Sequence, residues 1–229
     1  MADDFEAQVA AANSTELTPR RIEMRRVGNA LRRIIDKLVA TEAPAEELAH
    51  LAGMLEGLAG VLEPWPQGHS YEGFAESANA GRPDAFFDNS PIMGQANPLA
   101  PPLEVEVRDG QVVGHARFGA AYEGPPGCVH GGYVAAAFDE LLGMTQAITG
   151  KRGMTGTLTV RYRAPTPLYR DLTWTGRVVR EEGRKIFTAG ECRDGDTVTA
   201  EAEAIFVVVD FARIEALYAR RTADAEVRR

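Results

Sequence analysis

Asp139 is set among very small residues. In GGYVAAAFDELLG, Gly132, Ala135, Ala136, Asp139 and Gly143 recur at spacings of three and four, the period of one helix face, so a carboxylate lies in a stripe that leaves room for a ligand. The same stripe has a structural reading: small residues admit close approach of a strand or a second helix, with Asp139 the satisfied partner of a nearby donor. His130-Gly131-Gly132 sits where a loop turns into this helix. A helix start offers unpaired N–H groups and the positive end of the dipole, and glycine lets a carbonyl reach the backbone without meeting a side chain. That is what an oxyanion hole of main-chain amides requires. A Gly-Gly pair also serves helix entry and tight packing, and His130 reads first as a residue that fixes the loop by hydrogen bonding rather than as a proton carrier.

Gly131 and Asp139 are eight residues apart, about 12 Å along a helix axis, too far for both to act on one carbonyl carbon. If both act on one substrate they come from different copies of the chain, and a two-fold dimer with antiparallel helices would set each Asp139 opposite its partner's Gly131.

The elements that position these residues follow from period and punctuation. Leu103, Val105 and Val107 alternate with charged residues, Asp109-Gly110 marks a tight turn, and a second strand runs from Val112 to Phe118. After the loop EGPPGC comes the helix, from His130 to about Ile148. Four further strands are expected over 155–163, 171–181, 185–193 and 197–209, with Glu182-Gly183 and Asp194-Gly195 as turns. Strands in sequence with short turns build an antiparallel sheet, and one helix covers one face of it. The fold class is therefore α+β, with the sheet curled around a helix that is apolar on most sides and largely enclosed.

Upstream, Thr18-Pro19 look like an N-cap and first helical residue. A helix with apolar residues from Ile22 to Val39 follows, its arginines (Arg20, Arg21, Arg25, Arg26, Arg32, Arg33) read as a solvated face. A second helix from about Pro44 to Leu62 completes a helical hairpin. Between Glu63 and Pro102 the chain is rich in Pro, Gly, Asn and Asp, an irregular connection anchored by Trp65, Phe74, Phe86, Phe87 and Ile92. The expected division is a helical extension (1–65), a connecting segment (66–100), the α+β domain (101–211) and a tail (212–229).

A formal charge of -8 argues against a nucleic-acid partner. Cys128 and Cys192 are too few for a disulfide framework and lack the spacing of a zinc site, so both read as buried or neutral residues in a reducing cytoplasm. The acidic start has no apolar core of a signal peptide, and no segment approaches the ~20 apolar residues of a membrane span. There is no Gly-x-Ser-x-Gly elbow, no His-Glu-x-x-His, no phosphate loop and no dinucleotide fingerprint.

GPPGCVHGGYVAAAFDELLG followed by TGTLTVRYRAPTPL resembles the hotdog-fold thioesterase superfamily, especially its phenylacetate-pathway and THEM-like acyl-CoA thioesterases, over about Asn97 to Val209. The resemblance implies a long helix wrapped by a curved antiparallel sheet. It implies Gly131 as the amide that polarises a thioester carbonyl, Asp139 as nucleophile or general base, and Thr155 as the hydroxyl that orients water or acid, with Thr157 second. Relatives carry Asn or Gln in the loop where this chain has Tyr122-Glu123-Gly124, and an ionised Glu123 cannot donate the hydrogen bond of an amide. The segment SPIMGQANPLAPPL and the N-terminal helices resemble longer members of the group, in which they would line the acyl pocket.

The expected activity is hydrolysis of an acyl-CoA, with coenzyme A part of the substrate and no metal or other cofactor. The expected assembly is a homodimer or a dimer of dimers. His130, Gly132, Glu123 and Thr157 are placed around the substrate, and Lys151, Arg152, Arg163, Arg184 and Lys185 are candidates for the phosphates of CoA; solvated turns and strand ends explain the same cations. Two alternatives stand: a hydratase or dehydratase using His130 and Asp139 as acid and base, and a domain that binds acyl-CoA without turnover.

Overall fold

The computed structural model describes Val9 and residues 17–65, 88–151 and 153–209; Phe74, Phe86, Phe87, Arg152 and the tail lie outside the described residues. Two helices, α1 (Pro19–Val39) and α2 (Ala45–Leu62), precede the strands β1 (Glu104–Arg108) and β2 (Gln111–Ala116). A short 3-10 turn (Ala120–Tyr122) leads to α3 (Gly131–Ala147), then β3 (Gly153–Tyr162), β4 (Leu172–Glu182), β5 (Lys185–Asp194) and β6 (Thr197–Val208). All neighbouring strands pair antiparallel, in the order β1-β2-β4-β5-β6-β3. This is the α+β arrangement expected from the sequence, one helix against one six-stranded sheet. Among the described residues no helix is long and apolar enough to cross a membrane.

The turns form where expected. Asp109 and Gly110 both have positive φ, 51° and 71°, the combination of a type I′ hairpin that matches strand twist. Gly183 and Gly195 also take positive φ in the two later hairpins.

The sheet reaches around α3 because the residues facing the helix alternate large with very small. Trp174, Phe118, Phe206 and Phe138 fill the core, with Phe138 edge-on to Trp174 at 4.8 Å. Between them Gly114, Gly176 and Gly190 let the strands close in: a Cβ on Gly114 would lie 3.0 Å from the Leu141 side chain, and one on Gly190 would lie 3.2 Å from Leu142. The helix buries Val134, Ala137, Phe138, Leu141, Leu142, Thr145 and Gln146. It is not enclosed all round, however. Gly132 and Asp139 are exposed, and Ala135, Ala136 and Gly143 only half-buried, so the small-residue stripe is the open face.

The expectation of a solvated arginine face on α1 holds for the exposed Arg20, Arg26 and Arg33 and needs correction for Arg21, Arg25 and Arg32. Arg21 and Arg25 grip the buried Asp88 at 2.5 and 2.7 Å. Arg32 donates to the carbonyls of Asn97 (2.6 Å) and Gln95 (2.7 Å), and Asp36 accepts from the Ala120 amide at 2.6 Å. With Gly28, where a Cβ would come within 2.6 Å of the Ala96 carbonyl oxygen, these residues form the side of α1 laid against the domain. Ile22, Val27, Leu38 and Val39 are exposed instead. Helical period located the apolar stripe, but backbone carbonyls of an irregular segment need donors, and guanidinium groups supply them where leucine cannot.

Thr145 is buried and its hydroxyl donates to the Leu141 carbonyl at 2.7 Å, while a Cβ on Gly176 would overlap Thr145 Oγ1. Gly176→Ala should therefore lower stability by about 2 kcal/mol. Adding Thr145→Ala should recover part of that loss, a coupling readable in a urea-unfolding double-mutant cycle.

Candidate active site

His130 is the N-cap of α3, and its Nδ1 accepts from the Gly132 amide at 3.0 Å. This is the loop-fixing role expected of it, and it uses up one of the two glycine amides. The Gly131 N–H has no acceptor among the described residues, so a single free donor stands at the positive end of the helix. The loop that delivers it is held by backbone bonds, from His130 to the Tyr122 carbonyl (2.8 Å), from Val129 to Thr166 (2.8 Å) and from Gly124 to Cys128 (2.9 Å). Glu123 belongs to this scaffold: its carboxylate accepts from the Gly127 amide at 2.6 Å.

Tyr162 Oη donates to the Gly131 carbonyl at 2.8 Å. Its ring sits over the glycine so closely that a Cβ at Gly131 would lie 3.2 Å from the hydroxyl oxygen.

Further along α3, Asp139 is exposed, and its Oδ1 accepts from Thr155 Oγ1 at 2.9 Å. A bulge in β3 chooses between the two threonines. Thr155 pairs with Phe206 and Thr157 with Ile205, leaving Gly156 as the extra residue. Thr155 thus shares the helix-facing side with buried Phe206, and Thr157 turns to the outer side. The same shift puts Leu158, Val160 and Tyr162 on the helix side. In a regular strand Tyr162 would have pointed away, which is why alternation alone did not single it out.

Glu140, next to the candidate base, was also missed. It accepts from Ser90 Oγ at 3.1 Å, and Ser90 Oγ in turn accepts from the amides of Ile92 and Met93, each at 3.1 Å. Burial raises the Glu140 carboxyl to about 7 despite the Ser90 hydrogen bond, with the Asp139 charge adding to the rise. An isolated Glu in a helix carries no signal of this; its partner lies 50 residues upstream.

The described basic candidates fall at two ends of the sheet. Lys151 pairs with Glu181, and Arg184 donates to the Val208 carbonyl at 2.9 Å. Lys185 starts β5 beside this pair and has no side-chain partner among the described residues. These three cluster at the Thr155 end of the sheet, since Val208 pairs with Gly153. Arg163, at the Tyr162 end, is paired with Glu201 at 2.7 Å. A groove of about 390 Å³ bordered by Arg161, Arg177, Glu191, Glu201 and Glu203 lies on the outer face of the sheet, away from α3. Cys192 is buried and its thiol pushed up to about 12, and Cys128 is half-buried; both are free. No cluster of three or more metal-ligating side chains occurs among the described residues.

The raised Glu140 pKa has a definite sign. The folded chain keeps a proton that the unfolded chain releases near 4.5, so stability falls as pH rises from 4.5 towards 7, by about 3 kcal/mol across the window. Glu140→Gln should remove this slope: the difference in urea-unfolding free energy between variant and parent should grow in favour of the variant up to about pH 7 and then level off.

Comparison with known proteins bears on the family and the fold. The family described as the thioesterase superfamily matches residues 126–201, from the loop before His130 into β6. Acyl-coenzyme A thioesterase THEM4 of Xenopus laevis is 37% identical over 91 residues, 39% of this chain and 41% of that protein. The Mus musculus THEM4 is 35% identical over 94 residues, 40% of each chain. The chain thus spans about two fifths of the curated relatives it matches. A crystal structure of a thioesterase superfamily protein superimposes with a TM-score of 0.72 at 37% identity, covering 80% of this chain and 94% of that one. With fold, motif and near full-length likeness in agreement, the chain belongs to the thioesterase superfamily and has its hotdog fold.

Proposed function

We propose that this chain hydrolyses acyl-coenzyme A thioesters at a site completed by a second copy of itself. The observation that carries the reading is the exposed Asp139 carboxylate held by the Thr155 hydroxyl at 2.9 Å. An exposed carboxyl side chain oriented by one donor and otherwise open to a ligand is arranged to act on something outside its own chain. The curated relatives named acyl-coenzyme A thioesterases support the substrate class.

Strand β3 supplies the geometry. It is an edge strand of the sheet, and its residues are largely exposed on both faces. One end touches α3 through Thr155 and Asp139, the other through Tyr162 and Gly131. A second copy added antiparallel along this edge brings the Asp139 end of each chain to the Gly131 end of the other. The open stripe of Gly132, Ala135, Ala136 and Gly143 gives the partner room to approach. This removes the difficulty that one chain holds its two chemical groups about 12 Å apart.

In such a site the thioester carbonyl oxygen accepts from the Gly131 N–H of one copy. Asp139 of the other adds to the carbonyl carbon or takes a proton from an adding water. Either addition places negative charge on the oxygen at the amide, and collapse expels the CoA thiolate; where water adds, Asp139 passes the proton it took to the thiolate, and where Asp139 itself adds, a water then cleaves the mixed anhydride to the free acid and restores the carboxylate while the thiolate takes a proton from that water. Lys151, Arg184 and Lys185 gather at the Thr155 end and fit the phosphates of CoA.

Asp139→Asn should cut kcat for thiol release by a factor on the order of 100 or more while folding is retained. Gly131→Pro removes the free N–H at the first helical position, where proline's backbone fits, and should do the same; Gly131→Ala, which sets the same Cβ against Tyr162 but keeps the N–H, is the control and should retain more activity than the proline variant. The sharing of the site is tested by mixing the two inactive variants after unfolding and refolding together. Mixed dimers contain one intact site, so about a quarter of parental activity should return; no recovery would place both groups within one chain.

A further inference from the structure

We propose that Tyr162 is a positioning residue for the hydrolysis, acting with His130 to clamp the peptide between Gly131 and Gly132 so that the Gly131 N–H is held in place. This rests on the reading of that N–H as the oxyanion donor. Two glycines in succession form the loosest start a helix can have, because each lacks the Cβ that restricts its backbone. Here the peptide that joins them is held at both ends. Its N–H donates to His130 Nδ1 at 3.0 Å, and its C=O accepts from Tyr162 Oη at 2.8 Å. With that plane fixed from two sides, rotation about the Gly131 backbone is arrested and the neighbouring amide keeps one direction. A donor that is already aligned needs no reorganisation as charge develops on the substrate oxygen.

The two holders come from independent parts of the fold. His130 is placed by the loop, its own amide bonded to the Tyr122 carbonyl, whereas Tyr162 ends β3 and reaches the helix side only because of the bulge at Gly156. In the single chain Tyr162 is 56% exposed and takes little part in the core, so removing its hydroxyl opens no cavity there; because a second copy would add along β3, the mass of the Tyr162→Phe protein in solution is measured beside its kinetics and should match the parent. The close seat of its ring also ties the clamp to glycine at 131, where a Cβ would be crowded.

Tyr162→Phe keeps the ring and removes the hydroxyl. It should lower kcat about 10-fold with KM nearly unchanged, since what is lost is alignment rather than binding. His130→Ala should behave alike, and His130→Asn, which restores a capping acceptor, should regain most of the loss. Amide hydrogen exchange at Gly132, followed by NMR in the full chain, should speed up in Tyr162→Phe and His130→Ala and return towards the parental rate in His130→Asn. Unchanged exchange at Gly132 in Tyr162→Phe would overturn the clamp. Faster exchange with parental kcat would overturn the positioning role of Tyr162, whereas parental kcat in Gly131→Pro would overturn the reading of the Gly131 N–H as donor.

Discussion

One long helix must be wrapped by a sheet and still show a carboxylate to the outside. Everything else in the domain accommodates that constraint. The buried side of α3 carries Phe138, Leu141 and Leu142 into a sheet thinned by Gly114, Gly176 and Gly190, while the other side is pared to Gly132, Ala135, Ala136 and Gly143 around Asp139. A helix apolar all round would be sealed in; this one is divided lengthwise, half core and half open face. The Thr155 hydroxyl closes the gap between the two halves by fixing the carboxylate to the sheet's edge.

Much of this was legible in the residues. Period-two alternation and the Asp-Gly and Glu-Gly turns placed the strands within a few positions of their observed bounds, because hairpin geometry is decided locally. Thr18-Pro19 likewise opened α1 with the cap that side-chain chemistry demands. The motif around His130 pointed to the start of α3, and the resemblance to hotdog thioesterases singled out Thr155.

What stayed hidden depends on distant parts of the chain. The bulge at Gly156 is a property of how β3 meets β6, and it alone decides that Thr155 and Tyr162 share a face. Ser90 and Glu140 meet across 50 residues, and no local pattern announces such a contact. Three arginines of α1 escaped for the same reason: Arg21, Arg25 and Arg32 look like solvated charge until the carbonyls and the carboxylate they serve are folded against them. Helical period says where residues point, and only the tertiary partner says what they meet there.

The seam between α1 and the domain is made largely of charge. Arg21 and Arg25 on Asp88, Arg32 on two carbonyls and Asp36 on the Ala120 amide do the work that leucines do elsewhere in the chain. Such a seam responds to heat differently from the core. The hydration of ions grows less favourable on warming, so the cost of drying these groups shrinks while hydrophobic gain per unit area levels off. The grip of the helix on the segment that carries Ser90 therefore strengthens relative to the packing around Trp174 as temperature climbs.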